Sequence, residues 1–269
     1  MKIGMIGSGN IAEAMMSGCT KSGKFDAKDI YVFDIFREKA EKCAEKYGVN
    51  VAESAKDVAG NCDAVILAVK PKDFPDLLRD VEGEISKNGT LVVSPAAGLS
   101  LSRIEGYIGF KPHLARIMTN INAAIRGAMT AYCFNELVSD DEKKFIAEFT
   151  SSFGGSLELP EDYFPQFGVL AGCGPAFAYM FVEEFARAGV EIGINKKMSL
   201  EIAAQTILGS AKMILESGAH PYELVDRVCT PAGTTIDGVT ALQENGFANA
   251  VIKAIEKSYE KDRRLAEKK

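Results

Sequence analysis

Short apolar runs alternate with helical patterns through the first half of the chain. The runs are continuous, as in Ala64–Val69, which is typical of strands that helices cover on both faces. The alternation predicts an α/β fold with a doubly wound parallel sheet. The predicted strands are Lys2–Ile6, Ile30–Phe33, Ala64–Val69, Thr90–Ser94, Ala115–Met118, Met129–Tyr132 and Ser156–Leu159, and the predicted helices among them are Ile11–Thr20, Arg37–Tyr47, Phe74–Ile85 and Leu101–Ile108.

The strand pattern stops at Leu159, and only helical patterns follow. We therefore predict two domains, 1–160 and 161–269. The predicted helix Lys197–Glu216 is apolar over a broad arc, which favours burial in a dimer interface. A self-contained helical bundle is the alternative. The predicted helices here are Pro175–Ala188 ending at Gly189, Lys197–Glu216 ending at Gly218, and Phe247–Lys268.

Composition narrows the classes of partner. The formal net charge is -6, so no broad basic surface is expected, and neither nucleic acid nor an anionic membrane is a predicted partner. Six cysteines without C-x-x-C spacing and only two histidines predict no metal site. No charged and apolar leader precedes the first strand, and no apolar run has membrane-spanning length. These features predict a reduced, cytoplasmic protein that acts on small molecules.

A glycine fingerprint joins the first strand to the first helix. The segment reads Gly7-Ser8-Gly9-Asn10-Ile11-Ala12. Gly7 supplies the φ freedom of a tight turn, Gly9 lets the backbone approach a pyrophosphate, and Ala12 keeps helix and strand close. Because a strand precedes the fingerprint and a helix follows it, we predict a dinucleotide site; a glycine-rich turn that binds nothing is the alternative.

Two residues after the second strand bear on the cofactor. Asp34 ends that strand, where a carboxylate accepts hydrogen bonds from ribose hydroxyls and favours NADH over NADPH. Arg37 follows three residues later; its guanidinium could bind a 2′-phosphate or simply begin the next helix. The pattern favours NADH and leaves use of both cofactors open.

Two further strand ends carry candidate cofactor contacts. Lys70 and Pro71 follow the third predicted strand, and Ser94-Pro95-Ala96-Ala97-Gly98 follows the fourth. Open α/β sheets bind ligands at these carboxyl ends. The alternatives are a solvated lysine in a turn at the first position and a plain tight turn at the second.

Two segments of the helical half carry candidate substrate contacts. Thr230-Pro231-Ala232-Gly233-Thr234-Thr235 precedes a helix, and its amides and hydroxyls suit a small carboxylate; helix capping by threonine is the alternative. Gly174-Pro175 opens another helix. That helix has no basic residue over Ala176–Val182. Because reduction of a carbonyl needs a proton donor and a protonated imine does not, this favours C=N over C=O reduction.

Taken together, five motifs resemble the pyrroline-5-carboxylate reductase family. The likeness covers nearly the whole chain and implies an N-terminal Rossmann-type doubly wound parallel sheet with an all-helical C-terminal dimerisation domain. It implies reduction of 1-pyrroline-5-carboxylate, a cyclic imino acid, to L-proline with NADPH or NADH, by a homodimer that often assembles further into a decamer. The motifs are Ile6–Ala14, Ile66–Pro71, Arg116–Asn120, Ala171–Ala176 and Thr230–Ile236.

The resemblance also implies residue roles. The residues that would bind the pyrophosphate are Gly7, Ser8, Gly9, Asn10 and Ile11. The residues that the resemblance places beside the rest of the cofactor are Val69, Lys70, Pro71, Ala96, Ala97, Gly98 and Asn120. The residues that would bind the substrate are Thr230, Gly233, Thr234 and Thr235. Of these, Thr235 would be the catalytic residue, with its hydroxyl near the ring nitrogen.

Three departures from the family pattern lie near these residues. Thr119 stands where the family has proline, Ala232 where it has glycine, and Lys261 where it has arginine. Gly233, Pro231 and both threonines remain, so we expect an altered rate or substrate shape more than altered chemistry. A paralogue that reduces another cyclic imine or keto acid, and a non-catalytic NAD(P)-binding protein, are the alternative functions.

Overall fold

The computed structural model describes residues 1–267 and divides into two compact units between Gly172 and Cys173. The division predicted from sequence lies earlier, after residue 160, where the strand pattern ends. The intervening segment stays with the first unit because Phe164 is fully buried there against Ala131 and Cys133. The predicted ends of the second domain and of its last helix, residues 269 and 268, lie outside the described residues.

The first unit contains an eight-stranded sheet in the order β3-β2-β1-β4-β5-β6-β7-β8. All neighbouring pairs are parallel except β6 and β7, so the doubly wound sheet is confirmed. Strands β6 and β7 pair antiparallel because the connection between them has too few residues for the crossover that a parallel pair requires. The strands are β1 Ile3–Ile6, β2 Ile30–Phe33, β3 Asn50–Val51, β4 Ala64–Leu67, β5 Leu91–Ser94, β6 Leu114–Met118, β7 Ala128–Phe134 and β8 Gly154–Glu158.

Helices cover both faces of this sheet. Apolar side chains of α1, α2 and α6 form one buried layer with Ile3, Met5 and Ile66. Those of α3, α4 and α5 form the opposite layer with Val65 and Leu67, which explains why the strands are apolar throughout. The helices are α1 Asn10–Ser22, α2 Arg37–Tyr47, α3 Ala55–Asn61, α4 Phe74–Asn88, α5 Leu101–Glu105, α6 Asp140–Ser151 and α7 Phe164–Phe167.

The sequence interpretation missed the four-residue α7 and two longer helices, α3 and α6. Both begin with a serine cap: Ser54 accepts a hydrogen bond from the Asp57 N–H, and Ser139 forms a capping box with Glu142. The S-x-x-[DE] spacing was therefore a usable signal. The short edge strand β3 was also missed, since two residues are too few for a periodicity.

The second unit is entirely helical. Its helices are α8 Gly174–Glu191, α9 Lys196–Ser217, α10 Pro221–Val228, α11 Thr234–Glu244 and α12 Phe247–Glu267, the last of which extends past the end of this unit at Arg264. The predicted end of α8 at Gly189 is wrong, because the helix continues to Glu191. Gly189 instead faces α9, where a Cβ would lie 2.7 Å from Ser199 Oγ, so this glycine permits close helix packing rather than ending a helix.

Most large apolar side chains of the second unit are exposed in the single chain. Ile192 and Leu215 are 80% and 85% exposed, and among the described residues of this unit only Ala186, Ser199 and Ala203 are buried. So large an exposed apolar surface marks an interaction site. Within residues 1–267, no helix has both the length and the apolar character needed to span a membrane.

Candidate active-site segments

The turn after β1 requires glycine at its first position. Gly7 has φ +100° and its N–H donates to the Phe33 carbonyl oxygen at 2.7 Å. A Cβ there would lie 2.5 Å from the Ala68 carbonyl oxygen. The turn is therefore held between the carboxyl ends of β2 and β4, as the fingerprint predicts.

The start of α1 is open. Gly9 is its N-cap residue, no side chain caps the helix, and a Cβ at Gly9 would meet no atom within 4 Å. The first N–H groups of a helix have no partner within the helix and carry partial positive charge. The open helix start agrees with the predicted pyrophosphate contacts of Gly7, Ser8, Gly9, Asn10 and Ile11, which stay a prediction.

Asp34 holds the glycine turn in shape. Its Oδ2 accepts from Ser8 N at 2.8 Å and from Ser8 Oγ at 2.7 Å, and its Oδ1 accepts from Phe36 N at 2.9 Å. Partial burial raises the pKa of Asp34, but the hydrogen bonds from Phe36 and Ser8 outweigh burial, and the pKa ends below its ordinary value of 3.8. The sequence interpretation missed this positioning role and considered only the ribose.

We expect Asp34→Asn to lower the free energy of unfolding by about 1 kcal/mol at pH 7, since a partly exposed charged acceptor is lost. Because the folded-state pKa lies below the unfolded value, the stabilisation is complete above that value and is lost as the pH falls through the folded pKa. In urea unfolding, the difference between variant and parent should therefore stay constant from pH 7 to about pH 4 and shrink only below that pH. A pH-independent difference would contradict this assignment.

Arg37 is engaged by two glutamates. Its Nη1 and Nη2 lie 2.8 and 3.4 Å from the two Glu53 carboxylate oxygens, and its Nε lies 2.9 Å from Glu41 Oε1. The Glu53 carboxylate, followed by that of Glu41, raises the pKa of Arg37. The guanidinium that could have bound a 2′-phosphate is thus paired within the chain.

The other predicted cofactor residues lie at the same sheet edge, after β4 and β5. Val69 borders the glycine turn, with its Cγ1 3.3 Å from where a Gly7 Cβ would lie. Exposed Lys70 precedes the 3₁₀ turn Pro71–Asp73. After β5, Ala96 is buried, Ala97 is exposed, and Gly98 has φ +74°.

Asn120 follows β6 and is 7% exposed. Its Nδ2 donates to the Ala171 carbonyl oxygen at 2.8 Å, and its Oδ1 accepts from Asn122 N at 3.0 Å. Ala171 belongs to the π-helical turn Gly168–Cys173. The Nδ2 hydrogen bond therefore joins the chain after β6 to that turn, a positioning role beside the cofactor contact that the resemblance implies.

The threonine segment of the second unit forms a tight turn before α11. Gly233 is the N-cap residue of α11, with no side-chain cap, and its N–H donates to the Thr230 carbonyl oxygen at 3.0 Å. A Cβ at Gly233 would lie 2.3 Å from Thr230 Oγ1. The alternative of threonine capping is therefore wrong, and the helix start with exposed Thr234 and Thr235 suits a carboxylate.

Ala232 in this turn has φ +56°, a conformation that costs a residue with a Cβ about 1 kcal/mol or more. We expect Ala232→Gly to raise the free energy of unfolding by about 0.5 to 1 kcal/mol, because relief of strain exceeds the added chain entropy. Thermal unfolding measures the change. Ala204→Gly, in right-handed helix α9, should change stability in the opposite direction, and the same sign for both variants would contradict the strain argument.

Comparison with known proteins decides the family. The chain is 36% identical to the pyrroline-5-carboxylate reductase of Escherichia coli K12 over 98% of both chains. The chain belongs to the pyrroline-5-carboxylate reductase family. The family's dimerisation domain matches residues 161–265, and a domain described as NADP oxidoreductase, coenzyme F420-dependent, matches residues 2–98.

Solved structures of the family have the same fold. The enzyme of Streptococcus pyogenes is 35% identical, with a TM-score of 0.85 over 98% of each chain. The enzyme of Plasmodium falciparum, solved with NADP bound, is 26% identical, with a TM-score of 0.87 over 99% of this chain and 98% of that one. The predicted Rossmann-type sheet with a helical C-terminal domain, and membership of the NAD(P)-dependent oxidoreductases, are confirmed.

Two of the three departures from the family pattern have a local structural account. Thr119 Oγ1 accepts a hydrogen bond from buried Thr130 Oγ1 at 2.9 Å, so a polar pair occupies the place of the proline. Ala232 adopts the left-handed conformation that the family's glycine would take without strain. Lys261 is exposed on α12, and nothing around it explains the change. Among the side chains that the structure describes, residues 1–264, no group of three could hold a metal ion.

Proposed function

We propose that the chain reduces 1-pyrroline-5-carboxylate to L-proline with a reduced nicotinamide cofactor, as the last step of proline synthesis. One observation carries the proposal: two helices, α1 and α11, begin at a glycine with no side-chain cap. The start of α1 suits a pyrophosphate, and the start of α11 suits a carboxylate.

The substrate carboxylate binds the first N–H groups of α11, with Thr230 and Thr234 beside it and Gly233 leaving room. The Thr235 hydroxyl oxygen accepts a hydrogen bond from the N–H of the protonated imine and orients the C=N carbon. The cofactor supplies a hydride when bound. Catalysis then comes from orientation and from stabilisation of the nitrogen as the double bond is reduced.

NADH is the preferred cofactor in this proposal. The carboxylates of Asp34, Glu41 and Glu53 lie after β2, on α2 and after β3, and Arg37 is paired with two of them. A 2′-phosphate would meet more negative than positive charge there. Ribose hydroxyls carry no charge and avoid this repulsion.

The protein assembles through its helical unit. The exposed apolar side chains of α8 and α9 and the match to a dimerisation domain support a homodimer. We propose further assembly to a decamer, which sedimentation velocity would measure. The cytoplasmic location stays a prediction.

A substrate panel tests the proposed reaction. Wild-type protein with NADH should consume cofactor and form proline in equal amounts from the five-membered imine, and much less product from a six-membered imine or a 2-keto acid. Preference for either other substrate would favour a paralogue with another reaction. Cofactor binding without turnover on any substrate would favour a non-catalytic dinucleotide-binding protein.

A further inference from the structure

The carboxyl ends of β2 and β3 bring Glu53 to Arg37. The two strands pair in parallel, with Val32 opposite Val51, and Ala52 N donates to the Val32 carbonyl oxygen at 3.0 Å. Glu53 and Arg37 therefore leave the same edge of the sheet. This is the edge at which the ribose of a dinucleotide lies in folds of this kind.

The Glu53 backbone is fixed by the start of α3. Its N–H donates to Asp57 Oδ2 at 3.1 Å, and the next residue, Ser54, caps that helix. The Glu53 carboxylate accepts hydrogen bonds from both terminal nitrogens, Nη1 and Nη2, of the Arg37 guanidinium. The Glu41 carboxylate accepts a hydrogen bond from the Arg37 Nε only. Glu53 thus occupies the two-pronged face with which arginine binds a phosphate.

We propose that Glu53 determines the cofactor preference, by occupying the Arg37 guanidinium and by placing a negative charge where a 2′-phosphate would bind. This rests on the proposed binding of a nicotinamide dinucleotide at the start of α1. Both side chains are largely exposed, at 58% and 75%, so the ion pair itself is weak. The charge of Glu53, however, opposes a phosphate whether the pair is formed or broken.

Removing this charge should release Arg37 for a phosphate. We expect Glu53→Gln to tighten NADPH binding about fivefold, the range of an exposed ion pair, and to leave the Kd of NADH unchanged. The Kd values are measured without substrate, from the fluorescence of the reduced nicotinamide, because the chain has no tryptophan. Turnover on 1-pyrroline-5-carboxylate with each cofactor is measured alongside.

Two further variants isolate the role of Glu53. Glu38→Gln removes the same charge from α2 but leaves both Arg37 pairs in place, and it should not change the ratio of the two Kd values. Arg37→Gln in the Glu53→Gln background should cancel the gain in NADPH binding if the phosphate binds that guanidinium. An equal gain in Glu38→Gln would mean a general charge effect and would overturn the proposal.

The same measurements separate this proposal from the proposed function. If both cofactors bind and the ratio of their Kd values is the same in Glu53→Gln and wild type, Glu53 has no such role, although the reductase activity stands. If wild type already binds NADPH more tightly than NADH, Glu53 does not exclude the phosphate, and the proposal fails. If neither cofactor binds, the dinucleotide site itself is wrong.

Discussion

Gly9→Val should abolish measurable binding of both NADH and NADPH, with a loss of at least about 100-fold in affinity. The structure leaves open space over the start of α1 at Gly9, and a branched side chain would fill the space that a pyrophosphate needs. Losing two charge-assisted hydrogen bonds from helix-start N–H groups is enough for this loss. Binding is measured by nicotinamide fluorescence.

The fold should survive this substitution. Gly9 has φ -71° and ψ 177°, which valine adopts readily, and a less favourable N-cap residue costs about 1 kcal/mol. Gly83→Val is the matched control, since Gly83 lies in α4 with no atom within 4 Å of a Cβ; it should leave the Kd of NADH unchanged. Retained cofactor affinity in a folded Gly9→Val protein would contradict the fingerprint assignment.

Thr235→Val should lower kcat about 100-fold with the Kd of NADH unchanged. The substitution keeps the branched shape and removes the hydroxyl that we assign to the ring nitrogen. Loss of one hydrogen-bonding partner of a group whose charge changes in the transition state has an effect of this size. Steady-state kinetics with 1-pyrroline-5-carboxylate measure kcat, and fluorescence measures cofactor binding.

Two variants control for changes in helix stability. Thr240→Val makes the same chemical change later in α11 and should leave kcat unchanged, while Thr235→Ser keeps the hydroxyl and should retain most activity. An unaltered kcat in Thr235→Val would remove this residue from the mechanism. Equal losses in Thr240→Val and Thr235→Val would assign the effect to the helix rather than to the hydroxyl.

Much of the fold could be predicted from local sequence patterns. The strands β1, β2, β4 and β5 are continuous apolar runs, and the glycine fingerprint fixes the order of strand, turn and helix at Gly7. Such signals are local, so tertiary contacts do not override them. The long helices α8 and α9 of the second unit could also be predicted, although α8 continues beyond Gly189 and the short α10 was missed.

What sequence could not predict depends on contacts between distant residues. The pairing of Arg37 with Glu53 needs the register of β2 with β3, and β3 is too short to recognise. The hydrogen bonds from Ser8 to Asp34 likewise join residues that only the folded sheet brings together. The strain at Ala232 is a backbone property that the side chain alone does not reveal.

Transfer of deuterium from labelled cofactor tests the central claim most directly. Wild-type protein is given 1-pyrroline-5-carboxylate and NADH deuterated at both C4 positions, and the product is analysed by mass spectrometry. We predict proline with a single deuterium on the ring carbon that had been doubly bonded to nitrogen. Absence of proline from a protein that binds NADH, or formation of unlabelled proline, would contradict direct hydride transfer to the C=N bond.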